Sequence, residues 1–128
     1  MKKETSSKSK PISDSCPVAF CMEAIGGKWK PIIIFRISKG INRFTVLMRN
    51  IDGINKQMLS KQLKEMEKSG ILERKIFPEI PPRVEYSLTT KGKSLLPVIQ
   101  SMNKWGLKHM PGVKTIKKDE NQQLPLFD

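Results

Sequence analysis

The chain has 128 residues, with 24 lysine and arginine residues against 12 aspartate and glutamate residues, and its formal charge is +12. This length suits one domain with tails and is too short for two domains. The segment from 16 to 110 alone carries 17 basic and 7 acidic residues, and such an excess indicates an anionic partner, most commonly nucleic acid.

The first part of the chain predicts an N-terminal arm and two helices. Residues 1 to 15 are polar, basic and rich in serine, which is typical of a disordered arm. Pro17 directly after Cys16 is a helix-start signal, so a first helix is predicted from 17 to about 25. A second helix is predicted from about 30 to 38, and its excess of apolar residues indicates a central place in the core.

Two helices around a tight turn, followed by a strand hairpin, predict a winged helix-turn-helix. The helices are predicted over 44 to 50 and 56 to 69. The strands are predicted over 71 to 77 and 83 to 88, with a proline-rich break between them. The short segment 41 to 43 could supply the small third strand that winged helices often carry.

A last helix is predicted to begin after a cap at Thr89 and to continue to about 109. It carries a broad apolar stripe made of Leu95, Val98, Ile99, Met102 and Trp105. This stripe exceeds what so small a core can cover, which favours dimerisation, although the core could also absorb part of it. Residues 111 to 128 are predicted to be a flexible tail. The predicted fold class is therefore mainly α with a small β-hairpin (α+β).

The longer helix of the helix-turn-helix divides into a core face and a polar face. Its apolar residues Leu59, Leu63 and Met66 lie on one face at helical spacing. Asn55 is predicted to cap the helix, and the candidate DNA-contacting residues are Asn55, Lys56, Gln57, Ser60, Lys61 and Lys64. An amide such as that of Gln57 can pair with adenine, whereas lysines suit phosphates or guanine edges. A charge run is usually only a solvated face, but the helix-turn-helix pattern favours DNA contact.

Three cations outside this helix are further candidates for DNA contact. Arg83 follows two prolines at the predicted wing, where a guanidinium could enter a minor groove. The alternative is that Arg83 pairs with Glu79 or Glu85 on the surface. Arg43 and Lys28, at predicted helix starts, are weaker candidates for phosphate contact.

Several strings of residues carry a family resemblance over roughly residues 16 to 109. They are Cys16-Pro17-Val18, Ile25-Gly26-Gly27-Lys28-Trp29, Arg43-Phe44, Met58-Leu59, Leu63-Lys64-Glu65-Met66-Glu67 and Pro78-Glu79-Ile80-Pro81-Pro82-Arg83-Val84-Glu85-Tyr86-Ser87-Leu88-Thr89. They resemble the HxlR-type regulators, a MarR-like winged-helix group of bacterial transcription factors. The resemblance implies a homodimer on a palindromic operator, with half-sites roughly 34 Å apart. It also implies that the first helix, with Pro17 and Phe20, and the last helix form the dimer interface.

The resemblance further implies that Cys16 could sense electrophiles or oxidants, as the corresponding cysteine does in some members. A thiol at a helix N-terminus faces open amides, and a nearby Lys28 would also favour the thiolate. The alternative is that Cys16 only caps and packs. Cys21 is predicted to be a small buried hydrophobe. An effector, either an oxidant or a small molecule in a pocket, is left open.

The C-terminal peptide Gln123-Leu124-Pro125-Leu126-Phe127 suggests a function of another class. It resembles the peptide by which bacterial replication proteins dock on the sliding clamp, which would make the chain a DNA-associated adaptor. Five-residue matches also arise by chance, and the apolar residues could instead fold back onto the dimer.

Other classes of protein are not predicted. The single histidine, in the last turn of a predicted helix, suits a dipole partner better than a base. The absence of a glycine-rich phosphate loop and of a carboxylate pair in an apolar context argues against an enzyme or a cofactor. Two cysteines and this histidine are too few for a closed zinc site.

The longest apolar run, four residues from Ile32, cannot span a membrane. A charged N-terminus without a signal-peptide pattern predicts a reducing, cytoplasmic location.

Overall fold

A computed structural model of the protein describes residues 16–112. Within this range the chain forms six helices and one two-stranded antiparallel sheet. In chain order the elements are α1 (Pro17–Ile25), α2 (Lys30–Ser38), α3 (Phe44–Asn50), α4 (Lys56–Lys68), β1 (Leu72–Phe77), β2 (Arg83–Leu88), α5 (Thr90–Lys93) and α6 (Leu96–His109). The predicted winged helix-turn-helix is confirmed, with α3 and α4 as the helical pair and β1 and β2 as the wing. The predicted arm and the clamp-like peptide lie outside the described residues.

Local signals at the helix ends explain why α1, α2 and α4 begin where they do. Pro17 and Pro31 occupy the first turns of α1 and α2, where a missing amide costs no hydrogen bond. The side chain of Asn55 accepts a hydrogen bond of 2.7 Å from the amide of Met58, so the predicted cap of α4 is confirmed. After α4, Gly70 has a φ of +81°, a left-handed conformation that glycine adopts without strain.

The last helical region is interrupted, so the prediction of one continuous helix from 89 to 109 is wrong. Thr89 does cap a helix, accepting from the amide of Gly92 at 3.0 Å, but that helix is the single turn α5. Pro97 then lies in the first turn of α6. Proline cannot donate to the carbonyl one turn earlier, and its ring clashes with that carbonyl, so the helix stops and restarts.

The sheet is a simple hairpin whose register runs from Leu72 opposite Leu88 to Phe77 opposite Arg83. The predicted third strand over 41 to 43 is reduced to a single bridge between Arg43 and Glu85. In addition, the carbonyl of Asn42 accepts a hydrogen bond of 2.9 Å from the amide of Tyr86. These contacts tie the start of α3 to the wing.

The core combines α2, the inner faces of α3, α4 and the hairpin, and one side of α6. Its fully buried side chains are Ile33, Ile34, Leu47, Leu59, Leu63, Met66 and Ile71. The central place predicted for α2 and the inward face predicted for α4 are confirmed. The predicted dimer stripe is wrong at one position. Ile99 is only 3% exposed within one protomer, so it has no surface to offer a partner.

Tyr86 is the single tyrosine of the chain and is buried on β2. Burial raises the pKa of its hydroxyl above the usual 10, while the neighbouring Arg74 guanidinium opposes this shift. A raised folded-state pKa stabilises the fold fully below pH about 10, and this contribution is lost as the pH rises through the folded-state value.

We therefore expect the phenolate absorbance of the native protein to titrate with a midpoint above pH 10. The free energy of unfolding should also fall more steeply above this pH in the wild type than in Tyr86→Phe, because the variant has no phenol to ionise. The two proteins have the same lysines, so lysines do not account for the difference. A native midpoint at or below 10, or identical pH profiles of stability, would contradict the prediction.

Candidate nucleic-acid interface

Helix α4 presents a polar surface opposite its buried face. Leu59, Leu63 and Met66 anchor it in the core, with at most 1% of each residue exposed. The candidate contact residues on its other side are mostly solvent-exposed, with Ser60 half-buried: Asn55, Lys56, Gln57, Ser60, Lys61 and Lys64. Three of them are lysines, so this surface is positively charged, and the exposed amide of Gln57 can recognise a base edge. Contact of these residues with DNA stays a prediction.

Two features bring α4 and its turn close to the α1–α2 segment (residues 26–30, which are the loop between these helices and the first residue of α2). The Lys30 ammonium donates a hydrogen bond of 2.7 Å to the Glu65 carboxylate of α4. This hydrogen bond, together with the charge of Lys30, lowers the pKa of Glu65. A Cβ atom placed on Gly53, in the turn before α4, would lie 3.7 Å from the Cη2 atom of Trp29. The α1–α2 segment therefore lies close to the turn and is ion-paired with α4, which the sequence patterns did not predict.

The two weaker cation candidates lie at different places. The Lys28 ammonium is 4.6 Å from the centre of the Trp29 ring, a cation–π contact within the same segment. Arg43 is exposed at the N-cap position of α3. Both side chains are accessible, and their contact with phosphate remains a prediction.

The Arg83 guanidinium is engaged within the wing, which corresponds to the ion-paired alternative. It donates to Glu85 at 2.6 Å and to Glu79 at 2.8 Å. It also lies 3.9 Å from the centre of the Phe77 ring. The hydrogen bond to Glu79 is the main reason why the pKa of Arg83 is raised. A minor-groove contact by Arg83 would require these pairs to open, and this contact stays a prediction.

An open apolar groove of about 510 Å³ lies between α1, the start of α2 and α6. Among its lining residues are Pro17, Val18, Cys21, Met22, Val98 and Met102. Cys21, predicted to be a small buried hydrophobe, does pack against the core but is only half-buried, because its other side lines this groove. Phe20 and Trp105 are also largely exposed. Leu95 instead packs against the core.

Cys16 occupies the N-cap position of α1, as predicted. Its thiol is free, half-exposed and makes no capping hydrogen bond. The first turn of α1 contains no acidic residue. The thiol is therefore accessible to an oxidant at the positive end of the helix dipole.

Other kinds of site were also sought within residues 16–112. No group of three or more histidine, cysteine, aspartate or glutamate residues there could hold a metal ion. No helix in this part of the chain has the length and apolar character needed to cross a membrane.

Comparison with known proteins places this geometry in a family. The model of the HxlR-like helix-turn-helix family matches residues 24–114. The uncharacterized HTH-type transcriptional regulator YybR of Bacillus subtilis is 42% identical over 96 residues, which cover 75% of this chain and 77% of YybR.

Two solved structures have a similar fold. The redox regulator HypR in its oxidized form superposes with a TM-score of 0.71 at 41% identity, over 73% of this chain and 97% of that chain. The reduced form of the transcriptional regulator YodB from B. subtilis gives a TM-score of 0.63 at 35% identity, over 75% of this chain and 95% of that chain.

Proposed function

The chain belongs to the HxlR-like helix-turn-helix family of transcriptional regulators, and we propose that it binds a palindromic DNA operator with sequence specificity as a homodimer. The observation that carries this proposal is the exposed basic side of α4. The helix is capped by Asn55, anchored by buried apolar residues and joined to α2 by the Lys30–Glu65 ion pair. A helix with this support can enter a major groove without first becoming ordered.

The residues of α4 have different roles in this proposal. Gln57, in the first turn, pairs through its amide with a base edge, because the N-terminal residues of a recognition helix usually reach the bases. Lys61 and Lys64, farther along, neutralise phosphates and supply affinity that does not depend on sequence.

The homodimer is supported by the apolar surface of α1 and α6. Val98, Met102 and Trp105 of α6 and Phe20 of α1 are each at least 40% exposed in one protomer. Apolar side chains clustered in this way mark an interaction surface. Pairing α1 and α6 with those of a second copy covers them and presents two copies of α4 to successive major grooves, roughly 34 Å apart.

A response to thiol oxidation is the regulatory part of the proposal. Cys16 has an accessible thiol at the start of α1, beside the proposed interface. The similar structure HypR is described as a redox regulator, and YodB was solved after treatment with diamide. In the proposed reaction the Cys16 thiolate and a second thiol form a disulfide, and a diamide-type oxidant accepts the two electrons, one proton from the second thiol and one proton from water. The bond would move α1 and, through the α1–α2 segment, α4.

The proposal is tested by measuring affinity for the DNA upstream of the protein's own gene against a random duplex of equal length. With thiols reduced and salt at about 0.15 M, we expect a preference of about a thousandfold or more. Replacing Gln57 with Ala should lower this preference by ~1–3 kcal/mol while leaving affinity for the random duplex unchanged. The matched control is Gln100→Ala, which removes an exposed glutamine of α6 outside the helix-turn-helix. Equal affinity for both duplexes would contradict specific binding to this region.

A further inference from the structure

A polar cleft of about 310 Å³ separates α4 from the wing. Two cations meet there, Lys64 from α4 and Arg74 from β1, and Ser60 and Tyr86 add uncharged polar groups to its lining. The carboxylate of Glu67 is also present, so two positive charges face one negative charge. The sequence patterns did not single out Arg74 as a functional residue.

The strand geometry explains why Arg74 faces this cleft. In the hairpin register Arg74 lies directly opposite Tyr86, and side chains opposite each other share one face of a sheet. Val84, two residues before Tyr86, is on the same face and also lines the cleft. Lys75, the next residue along β1, therefore lies on the other face, where its ammonium is 5.8 Å from the Phe77 ring centre.

We propose that this cleft binds a phosphodiester group of the DNA backbone, with Arg74 and Lys64 as its cationic ligands. The proposal rests on the proposed function and deepens it. In a winged helix-turn-helix complex α4 occupies the major groove and the wing lies towards the neighbouring minor groove. The two grooves of a duplex are separated by a sugar–phosphate backbone, so that backbone must pass between α4 and the wing.

The chemistry of the cleft suits a phosphodiester. A guanidinium can donate two parallel hydrogen bonds to phosphate oxygens, while an ammonium adds a point charge. The Ser60 hydroxyl can donate a further hydrogen bond. Glu67 leaves the cleft with a net charge of about +1, which is sufficient for one phosphodiester. The ion-paired Arg83 cannot take this role unless its contacts with Glu79 and Glu85 open.

The test compares Arg74→Ala with Lys75→Ala, a matched control that removes a neighbouring cation from the other face of the same strand. The logarithm of affinity is measured against the logarithm of salt concentration, for the upstream DNA and for the random duplex. Arg74→Ala should weaken binding to both duplexes by a similar factor and lower the magnitude of the salt slope by about 0.9, the value for one phosphate contact. Lys75→Ala should leave the slope unchanged. A wild-type slope in Arg74→Ala would overturn the proposal.

Two further measurements separate this proposal from other outcomes. Arg74→Gln keeps hydrogen-bonding groups beside Tyr86 but removes the charge, so the same loss of slope in a variant with native thermal unfolding excludes a folding defect. Binding of inorganic phosphate is measured by calorimetry. Phosphate binding that disappears in Arg74→Ala while the DNA salt slope stays at the wild-type value would indicate a free-anion site and overturn the proposal. Because the slope is also measured on the random duplex, it tests Arg74 even if sequence preference is absent.

Discussion

Replacing Trp105 with Glu is expected to convert the homodimer into monomers and to lower affinity for the operator by at least about a hundredfold. Trp105 is 67% exposed in one protomer, so its replacement leaves the core intact. In the proposed interface, however, the new carboxylate would be buried among apolar side chains without a partner, which is costly. A monomer binds one half-site and loses the gain from binding both half-sites together.

Sedimentation and DNA-binding measurements at matched protein concentrations test this prediction. The control is Gln100→Glu, which makes the same change in charge at an exposed position of α6. At 3.6 residues per turn, Gln100 lies about 200° around the helix from Val98, away from the proposed interface. This control should remain dimeric and bind the operator normally. A Trp105→Glu protein that is still dimeric and still binds with wild-type affinity would place the interface elsewhere.

Oxidation of the wild-type protein with diamide is expected to lower operator affinity by about tenfold or more, within the usual range of allosteric coupling. Cys16→Ser should bind the operator normally when reduced and should not respond to the oxidant. The physical reason is that Cys16 begins α1, whereas the α1–α2 segment lies close to the turn at Gly53 and is ion-paired with Glu65 of α4. We therefore expect a displacement of α1 to be transmitted to the proposed DNA-binding surface.

The control for this experiment is Cys21→Ser, which removes the other cysteine of the chain. If Cys16 is the sensor, Cys21→Ser keeps the response, and a thiol reductant restores binding in both the wild type and this variant. A response that is lost only in Cys21→Ser would assign sensing to the apolar groove instead. If both single variants respond to the oxidant as the wild type does, neither cysteine alone is necessary for sensing.

Local sequence signals predicted most of the fold because they act within one or two turns of a helix. Pro17, Pro31 and Asn55 each mark a helix start that the structure contains. The interruption before α6 was missed although Pro97 is visible in the sequence, because the apolar stripe on either side continues at helical spacing. Here the steric effect of proline outweighs hydrophobic periodicity.

The candidate site was less predictable, since it depends on contacts between segments distant in the chain. Arg83 follows two prolines at the predicted wing, which suggested a residue that contacts DNA. In the structure its guanidinium instead pairs with the carboxylates four residues before and two residues after it. Ile99 belongs to the same stripe as Val98, but packing turns only Ile99 into the core. Arg74 carries no distinguishing pattern, and its position depends on the pairing of β1 with β2.

The two tryptophans of the chain give it two intrinsic fluorophores in contrasting surroundings. Trp29 is half-buried beside the turn of the helix-turn-helix, with the Lys28 ammonium over its ring. Trp105 is exposed on α6, with its ring centre 4.4 Å from that of His109. Emission from Trp105 therefore reports solvent access at the outer surface of α6, whereas emission from Trp29 reports the segment that joins α1 to α2. The Trp105→Glu variant leaves Trp29 as the single tryptophan, so the two indole signals can be separated without attaching a dye.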